Sequence, residues 1–204
     1  YDEVLAADPG FCDAVINRSY ALLMKGDLVG GWAAYEERFS RGGQIDRNFP
    51  YPAWKGESLA GKRLLVYAEQ GLGDEIMFAS CVNDVLPLAS HCIIECNSRL
   101  AGLFQRSFPD ARVHGAVKSA NHDWLAASPS IDYQVAIGSL PNYFRREASS
   151  FPSRAGYLVA SAPAVARWRK QLDSGAKVRV GIAWRGGTLR SRQFVRSIPL
   201  SLWA

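Results

Sequence analysis

The fold is decided by the stretch Lys62-Arg-Leu-Leu-Val-Tyr-Ala-Glu-Gln-Gly-Leu-Gly-Asp-Glu-Ile-Met-Phe78. Within it, residues 64–68 are a short, unbroken apolar run, which is typical of a strand buried on both faces of a parallel sheet. Two glycines end the run, and apolar residues then recur at helical spacing from Ile76. A strand, a glycine-containing turn and a helix predict the carboxyl end of a strand in an open α/β sheet, where such folds bind ligands.

The turn after this strand carries acids in place of the groups that bind phosphate. A glycine-rich turn that leads into a helix often binds phosphate, because its free amides and the helix dipole attract anions. Here the helix opens with Asp74 and Glu75, the Lys and Ser/Thr of a P-loop are absent, and Ile76 replaces the third glycine of the dinucleotide fingerprint. We interpret the turn as presenting Asp74, ionised beside the helix dipole, to accept a proton from a hydroxyl. The alternative is that Asp74 and Glu75 only stabilise the helix start.

Length and composition indicate a soluble globular protein of one or two domains. The chain has 204 residues, of which 48% are hydrophobic and 21% are charged. No apolar run approaches the roughly 20 residues that span a bilayer, and no signal peptide opens the sequence. The four cysteines show no disulfide pattern, which favours the cytoplasm. The alternation of Cys92, Ile94 and Cys96 predicts core cysteines, the alternative being a zinc site that includes His91.

Basic residues are concentrated near the carboxyl end. Residues 167–196 contain nine Lys or Arg and one acid, Asp173, although the net charge of the whole chain is only +5. This local excess predicts an anionic ligand, and a solvated charged surface is the alternative.

The first 40 residues predict helices. We expect a helix end over 1–7, a helix over 11–25, a tight turn at Gly26-Asp27 and a third helix over 28–39. Pro9, Gly26 and Tyr35 have the spacing of one tetratricopeptide (TPR) unit. Because a lone repeat cannot bury both of its faces, we expect further repeats before Tyr1. An ordinary helical hairpin is the alternative.

Residues 41–60 predict an ordered connector, because Phe49, Tyr51 and Trp54 can pack on the following domain. Beyond it, residues 61–163 alternate strands (64–68, 92–96, 111–115 and 133–137) with helices or loops, which predicts a Rossmann-like, doubly wound parallel α/β sheet.

A second unit of the same kind is predicted from residue 164 onward. It comprises a helix over 165–172, a strand over 178–184 and a glycine turn, Arg185-Gly186-Gly187-Thr188. This turn has free amides, arginines and no acids, an arrangement that favours phosphate. We interpret the unit as an incomplete second lobe.

These features together resemble a known family. Gly26-Asp27, Trp54-Lys55-Gly56-Glu57 and Glu69–Ile76, with Gly181-Ile182-Ala183-Trp184-Arg185-Gly186 and Arg196-Ser197-Ile198-Pro199-Leu200, resemble bacterial TPR proteins that carry a glycosyltransferase domain. That domain is similar to heptosyltransferases and to O-linked N-acetylglucosamine transferases. The resemblance implies a two-lobed GT-B fold, with residues 61–163 in the first lobe and the start of the donor-binding lobe in residues 164–204.

The resemblance also implies roles for particular residues. Asp74, with Gly73 before it, matches the catalytic base of heptosyltransferases, and Gln70 and Glu75 are acceptor-side candidates, with packing as the alternative. The residues implied to hold the donor diphosphate are Arg185, Gly186, Gly187, Thr188 and Arg196. The family needs no metal ion or other cofactor, and a chain that lacks most of the donor lobe should be inactive alone.

The function expected on these grounds is metal-independent, inverting sugar transfer from a nucleotide-sugar donor to an acceptor hydroxyl. The alternative is an interaction scaffold, in which the TPR-like helices bind a protein partner and the transferase-like domain is inactive. Binding of nucleic acid through the basic segment is a weaker hypothesis, because no known recognition motif is present.

Overall fold

The computed structural model describes residues 1–39, 47, 49–116, 122–125, 130–153, 156–173, 175, 178–183, 195 and 197–202. They belong to two compact units, Tyr1–Ser161 and Ala162–Ala204. Among these residues, no helix combines the length and the apolar content that crossing a membrane requires.

The first unit begins with the predicted helices. They are α1 (Asp2–Ala7), α2 (Cys12–Met24) and α3 (Leu28–Tyr35), and a 3-10 helix over Glu36–Phe39 continues α3. The turn between α2 and α3 contains Gly26 at φ +85°, a backbone conformation that favours glycine. Asp27 then caps α3, because its carboxylate accepts a hydrogen bond of 2.9 Å from the backbone N–H of Gly30. Helices α2 and α3 therefore form a hairpin, and its assignment as a TPR unit stays a prediction.

A four-stranded parallel sheet follows the hairpin. Its strands are β1 (Arg63–Tyr67), β2 (His91–Asn97), β3 (Arg112–Ala116) and β4 (Tyr133–Ala136), in the spatial order β3-β2-β1-β4. Every neighbouring pair is parallel. The helices of this part are α4 (Leu72–Phe78), α5 (Val82–Val85), α6 (Ser98–Ser107) and α7 (Pro141–Phe144). The predicted parallel α/β sheet is thus confirmed, and it is consistent with a Rossmann-like fold.

Strand β1 is buried on both faces, as its apolar run predicts. Leu64 and Val66 point into the larger core, which includes Phe78, Val82 and Phe104 from the helices. Leu65 points to the opposite face, into a smaller core whose other buried members are Phe49, Ile93, Leu125 and Ile131. Because apolar side chains cover both faces, β1 carries no polar side chain at its three central positions.

The connector packs on the sheet as predicted. Phe49 and Trp54 are buried, and Tyr51 is half-buried against the smaller core. Ala53 forms a parallel bridge with Gln134 of β4, and the backbone N–H of Trp54 donates to the Gln134 carbonyl over 2.8 Å. The connector therefore packs against the sheet at these positions and extends its edge.

The cysteines of the sheet lie in the core. Cys92 and Cys96 are buried in β2, and Cys81 is buried in the same core, which confirms the prediction of core cysteines. All four cysteine thiols are free of disulfides. Burial raises the pKa of Cys92 and of Cys96 to about 12, so both thiols are protonated near neutral pH.

The second unit contains α8 (Ala162–Leu172), which agrees with the helix predicted over 165–172. The strand predicted over 178–184 is wrong for residues 178–183, which form no strand; residue 184 lies outside the described residues. An apolar run becomes a strand only when a neighbouring strand satisfies its backbone groups, and no strand is present among the described residues of this unit. The second Rossmann-like lobe stays a prediction.

Candidate active site at the carboxyl edge of the sheet

The strand order creates one crevice at the carboxyl edge of the sheet. Strand β1 connects to β2 on one side, whereas β4 lies on its other side, so the order of the chain reverses between β1 and β4. The two strands end together, because Tyr67 is paired with Ala136. In open parallel sheets this reversal opens a crevice in which ligands bind. The turn after β1 and the turn after β4 are therefore its expected walls.

The side chain of Arg38, from the end of the hairpin, occupies the space between these two turns. Its Nη2 donates to Glu69 Oε1 over 3.1 Å and to Ser139 Oγ over 2.8 Å. Glu69 follows β1 and Ser139 follows β4. Arg38 and Glu69 are only 4% and 3% exposed. A buried ion pair with additional hydrogen bonds thus joins the hairpin to both walls of the crevice.

Further polar groups complete this network. Glu36 accepts hydrogen bonds from Arg38 Nη1 over 2.7 Å and from Ser139 Oγ over 2.8 Å. Tyr35 donates its hydroxyl proton to Gln70 Oε1 over 2.9 Å. Burial raises the pKa of Tyr35 to about 12 although the hydrogen bond to Gln70 opposes the shift, so the phenol stays protonated. Burial also raises the pKa of Glu69, against the opposing charge of Arg38.

Asp74 lies in the first turn of α4 and is half-buried. Its Oδ2 accepts a hydrogen bond of 3.2 Å from the backbone N–H of Gly71, the residue that caps the helix. This contact is the one expected if Asp74 stabilises the helix start. It uses one of the four lone-pair positions of the carboxylate, so the group retains acceptor capacity toward a ligand.

The acceptor-side candidates of the same turn differ in their surroundings. Gly73 is exposed, and no atom lies within 4 Å of the position that a Cβ would take. The amide of Gln70 is bonded to Tyr35 and to Glu69. Glu75 is buried and accepts a hydrogen bond of 2.8 Å from the backbone N–H of Asn97. These three residues and Asp74 therefore lie together at the turn after β1. The side chains of Gln70 and Glu75 already form hydrogen bonds within the protein.

The candidate donor-binding residues all lie outside the described residues. They are Arg185, Gly186, Gly187, Thr188 and Arg196.

A second buried ion pair lies at the ends of β2 and β3. Arg47 of the connector donates to Glu95 Oε1 of β2, and both side chains are buried. Burial raises the pKa of Glu95 to about 7; the charge of Arg47 lowers it, and the carboxylate of Glu75 raises it further. Arg47, Glu75 and Glu95 all line a cavity of about 10 Å³, which is close to the space that one water molecule needs.

Sequence reasoning missed Arg38, Ser139, Arg47 and Glu95. One signal was present for Glu95, which interrupts the apolar run Cys92-Ile-Ile-Glu-Cys96 of a strand buried on both faces. A charged residue in such a place requires a buried partner. No comparable signal marks Arg38, because its partner Glu69 lies 31 positions away in the chain.

The chain is 34% identical over 199 residues to Protein FlbA of Caulobacter vibrioides. The match covers 91% of this chain and 33% of that protein, so the chain spans about a third of the length of the curated relative. No protein-family model and no solved structure matches the chain.

Proposed function

We propose that this chain is part of a glycosyltransferase that moves a sugar from a nucleotide-sugar donor to an acceptor hydroxyl with inversion. The observation that carries the proposal is the place of Asp74. Asp74 is half-buried and lies in the first turn of the helix after β1, at the carboxyl edge of the sheet, which is where open parallel sheets bind ligands. A TPR-like hairpin before a GT-B first lobe is the architecture that the resemblance supplies for this proposal.

In the proposed mechanism Asp74 is the general base. The acceptor hydroxyl lies beside its carboxylate, loses its proton to it, and attacks the anomeric carbon of the donor from the face opposite the leaving group. The bond from that carbon to the diphosphate breaks as the new bond forms, which inverts the configuration. The resemblance assigns the leaving nucleoside diphosphate to Arg185, Gly186–Thr188 and Arg196, whose residue types would supply positive charge and free amides in place of a metal ion.

The first test is Asp74→Asn in the full-length protein, assayed with a panel of nucleotide sugars. The amide preserves the shape of the side chain and an oxygen for the Gly71 N–H, but it cannot accept a proton. We expect transfer to fall by at least ~100-fold with an unchanged melting temperature.

A matched control is available in the hairpin. Asp27 caps α3 by accepting the same kind of hydrogen bond, from the backbone N–H of Gly30, but it is exposed in the turn between α2 and α3. Asp27→Asn should therefore leave transfer unchanged. Near-normal turnover by Asp74→Asn would remove Asp74 from the mechanism.

A second candidate function is a scaffold whose hairpin binds a protein partner. It is favoured by the apolar residues that the hairpin exposes: Phe11 and Tyr20 are half-exposed, and Met24 is 89% exposed. The two functions differ in their response to nucleotides. If the full-length protein melts at a higher temperature with nucleoside diphosphates, the enzyme is supported. If no nucleotide changes the melting temperature, the scaffold is supported.

A further inference from the structure

The crevice between β1 and β4 is already filled by the chain's own side chains. Arg38 donates hydrogen bonds to both Glu69 and Ser139 there, and all three residues are buried. A ligand cannot enter this space without leaving a buried charge unpaired, which is strongly unfavourable. A ligand of this part of the protein therefore needs a site beside the crevice.

Such a site is present next to this network. A cavity of about 260 Å³ lies between β4, Tyr67 at the end of β1, the connector and the end of the hairpin. It shares Glu36 and Ser139 with the buried network. Its lining residues are Glu36, Phe39, Ala53, Trp54, Tyr67, Gln134, Val135, Ala136, Ser139 and Tyr143. Pockets for drug-sized ligands measure roughly 300–1,000 Å³, so this cavity suits a single small ring.

Aromatic side chains supply much of the wall. Four of the ten lining residues are aromatic, and Trp54 and Tyr143 lie against each other with ring centroids 4.4 Å apart. The Tyr143 hydroxyl donates to the Trp54 carbonyl over 3.1 Å, which fixes the orientation of its ring. Flat, fixed aromatic surfaces bind the apolar faces of a ring at low cost in side-chain entropy.

Glu36 is the polar group best placed to orient a ligand. Its side chain is 34% exposed. Each of its oxygens already accepts one hydrogen bond, from Arg38 and from Ser139 respectively. A carboxylate has about four lone-pair positions, so two remain for hydroxyl donors. Burial of Tyr143 and the charge of Glu36 together raise the pKa of the Tyr143 phenol, which is consistent with a carboxylate facing this cavity.

The charged groups on the described part of the wall disfavour anions. None of the ten described lining residues is basic, and Glu36 is the one charged residue among these ten, so a phosphate or other anion would meet its carboxylate. A cation would compete for this carboxylate with Arg38, whose Nη1 lies 2.7 Å from it. The aromatic faces and hydroxyl acceptors of the described wall are suited to a neutral polyol.

We propose that the cavity between β4, the end of β1, the connector and the hairpin binds a single neutral sugar ring of the acceptor. Its role as acceptor rests on the proposed function, whereas binding itself requires no transfer reaction. The ring would lie on the aromatic wall and donate hydroxyl hydrogen bonds to Glu36.

The test is saturation-transfer-difference NMR on the full-length protein with methyl glycosides of neutral hexoses and N-acetylhexosamines. We expect at least one glycoside to bind. Phe39→Ala removes part of the wall and Ala53→Phe fills the cavity; both positions are exposed, so both variants should fold. Each should weaken binding of that glycoside at least ~10-fold.

Matched controls make the same chemical changes elsewhere. Phe11→Ala and Ala60→Phe alter exposed residues that do not line the cavity and should leave binding unchanged. Glycoside binding is measured without any transfer, so a failure of this proposal is distinct from a failure of Asp74→Asn to lower transfer, which would contradict the proposed function.

Choline and inorganic phosphate serve as cationic and anionic probes. The proposal is overturned if no glycoside binds, if glycoside binding is insensitive to Ala53→Phe, or if Ala53→Phe abolishes binding of choline or phosphate instead.

Discussion

Arg38 in the hairpin and Glu69 at the end of β1 are 31 positions apart in the chain, yet their side chains form a hydrogen-bonded ion pair in the protein interior. Ser139, after β4, bonds to the same guanidinium. One side chain of the hairpin thus fixes the spacing of the two turns at the carboxyl edge of the sheet. The hairpin and the sheet also share a hydrophobic core through Tyr35, so the helices contribute to the stability of the candidate site.

Removing one partner of this pair should destabilise the first unit. Arg38→Ala leaves the carboxylate of Glu69 buried without its counter-charge, and we expect the free energy of unfolding to fall by about 3–5 kcal/mol. Urea denaturation measures the change. The control is Arg18→Ala, which breaks the exposed pair with Asp2, 2.7 Å apart, and should cost no more than about 1 kcal/mol. Equal losses in the two variants would contradict the structural role of Arg38.

Two glycine substitutions should have opposite effects on stability. A Cβ at Gly138 would lie 2.4 Å from Glu69 Oε1, an atom held by Arg38. Gly138→Ala should therefore cost about 1–3 kcal/mol, because the network must move. A Cβ at Gly73 meets nothing within 4 Å and lies inside α4, so Gly73→Ala should stabilise by about 0.5–1 kcal/mol. Thermal unfolding of both variants is the measurement, and stabilisation by Gly138→Ala would show that the network is not packed as described.

Cysteine reactivity should follow burial. Cys81, Cys92 and Cys96 are buried, whereas Cys12 is partly exposed. Because burial also raises the pKa of Cys92 and Cys96 to about 12, their reactive thiolates are scarce at pH 8. Iodoacetamide should modify the native protein first at Cys12, and mass spectrometry should find all four sites only after unfolding in urea. Early modification at Cys92 would mean that β2 is accessible in the native protein.

The elements that sequence predicted are those that depend on local pattern. The apolar run of β1, the alternation in β2 and the turn at Gly26-Asp27 each specify an element without reference to the rest of the chain. Residues 178–183 show the limit of this reasoning, because their valines and isoleucine fit a strand pattern but they have no partner strand among the described residues.

The candidate site depends on contacts between distant parts of the chain. The sequence predicted that Asp74 lies at the start of a helix after a buried strand, and the structure confirms this position. It could not place Arg38 beside Glu69, or Trp54 beside Tyr143 in the wall of a cavity, because these contacts span 31 and 89 positions. The cavity could not be predicted, because local periodicity carries no information on which turn contacts which helix.

Because of Glu95, the free energy of unfolding should fall as the pH rises from about 4.5 to 7. Burial raises its pKa from 4.5 to about 7, although Arg47 opposes the shift. The folded state therefore binds a proton that the unfolded state releases between about pH 4.5 and 7. Over this window the contribution of Glu95 to stability falls as the pH rises, by a total of about 3 kcal/mol.

Urea denaturation from pH 4.5 to 7.5 tests this dependence. Glu95→Gln cannot ionise, so its free energy of unfolding should decline less over the window than that of the wild-type protein, whatever its absolute value. The exposed Glu3 provides the control, because Glu3→Gln should retain the wild-type slope. If Glu95→Gln and wild type had parallel profiles, the charge of Arg47 would outweigh burial and Glu95 would be ionised throughout the window.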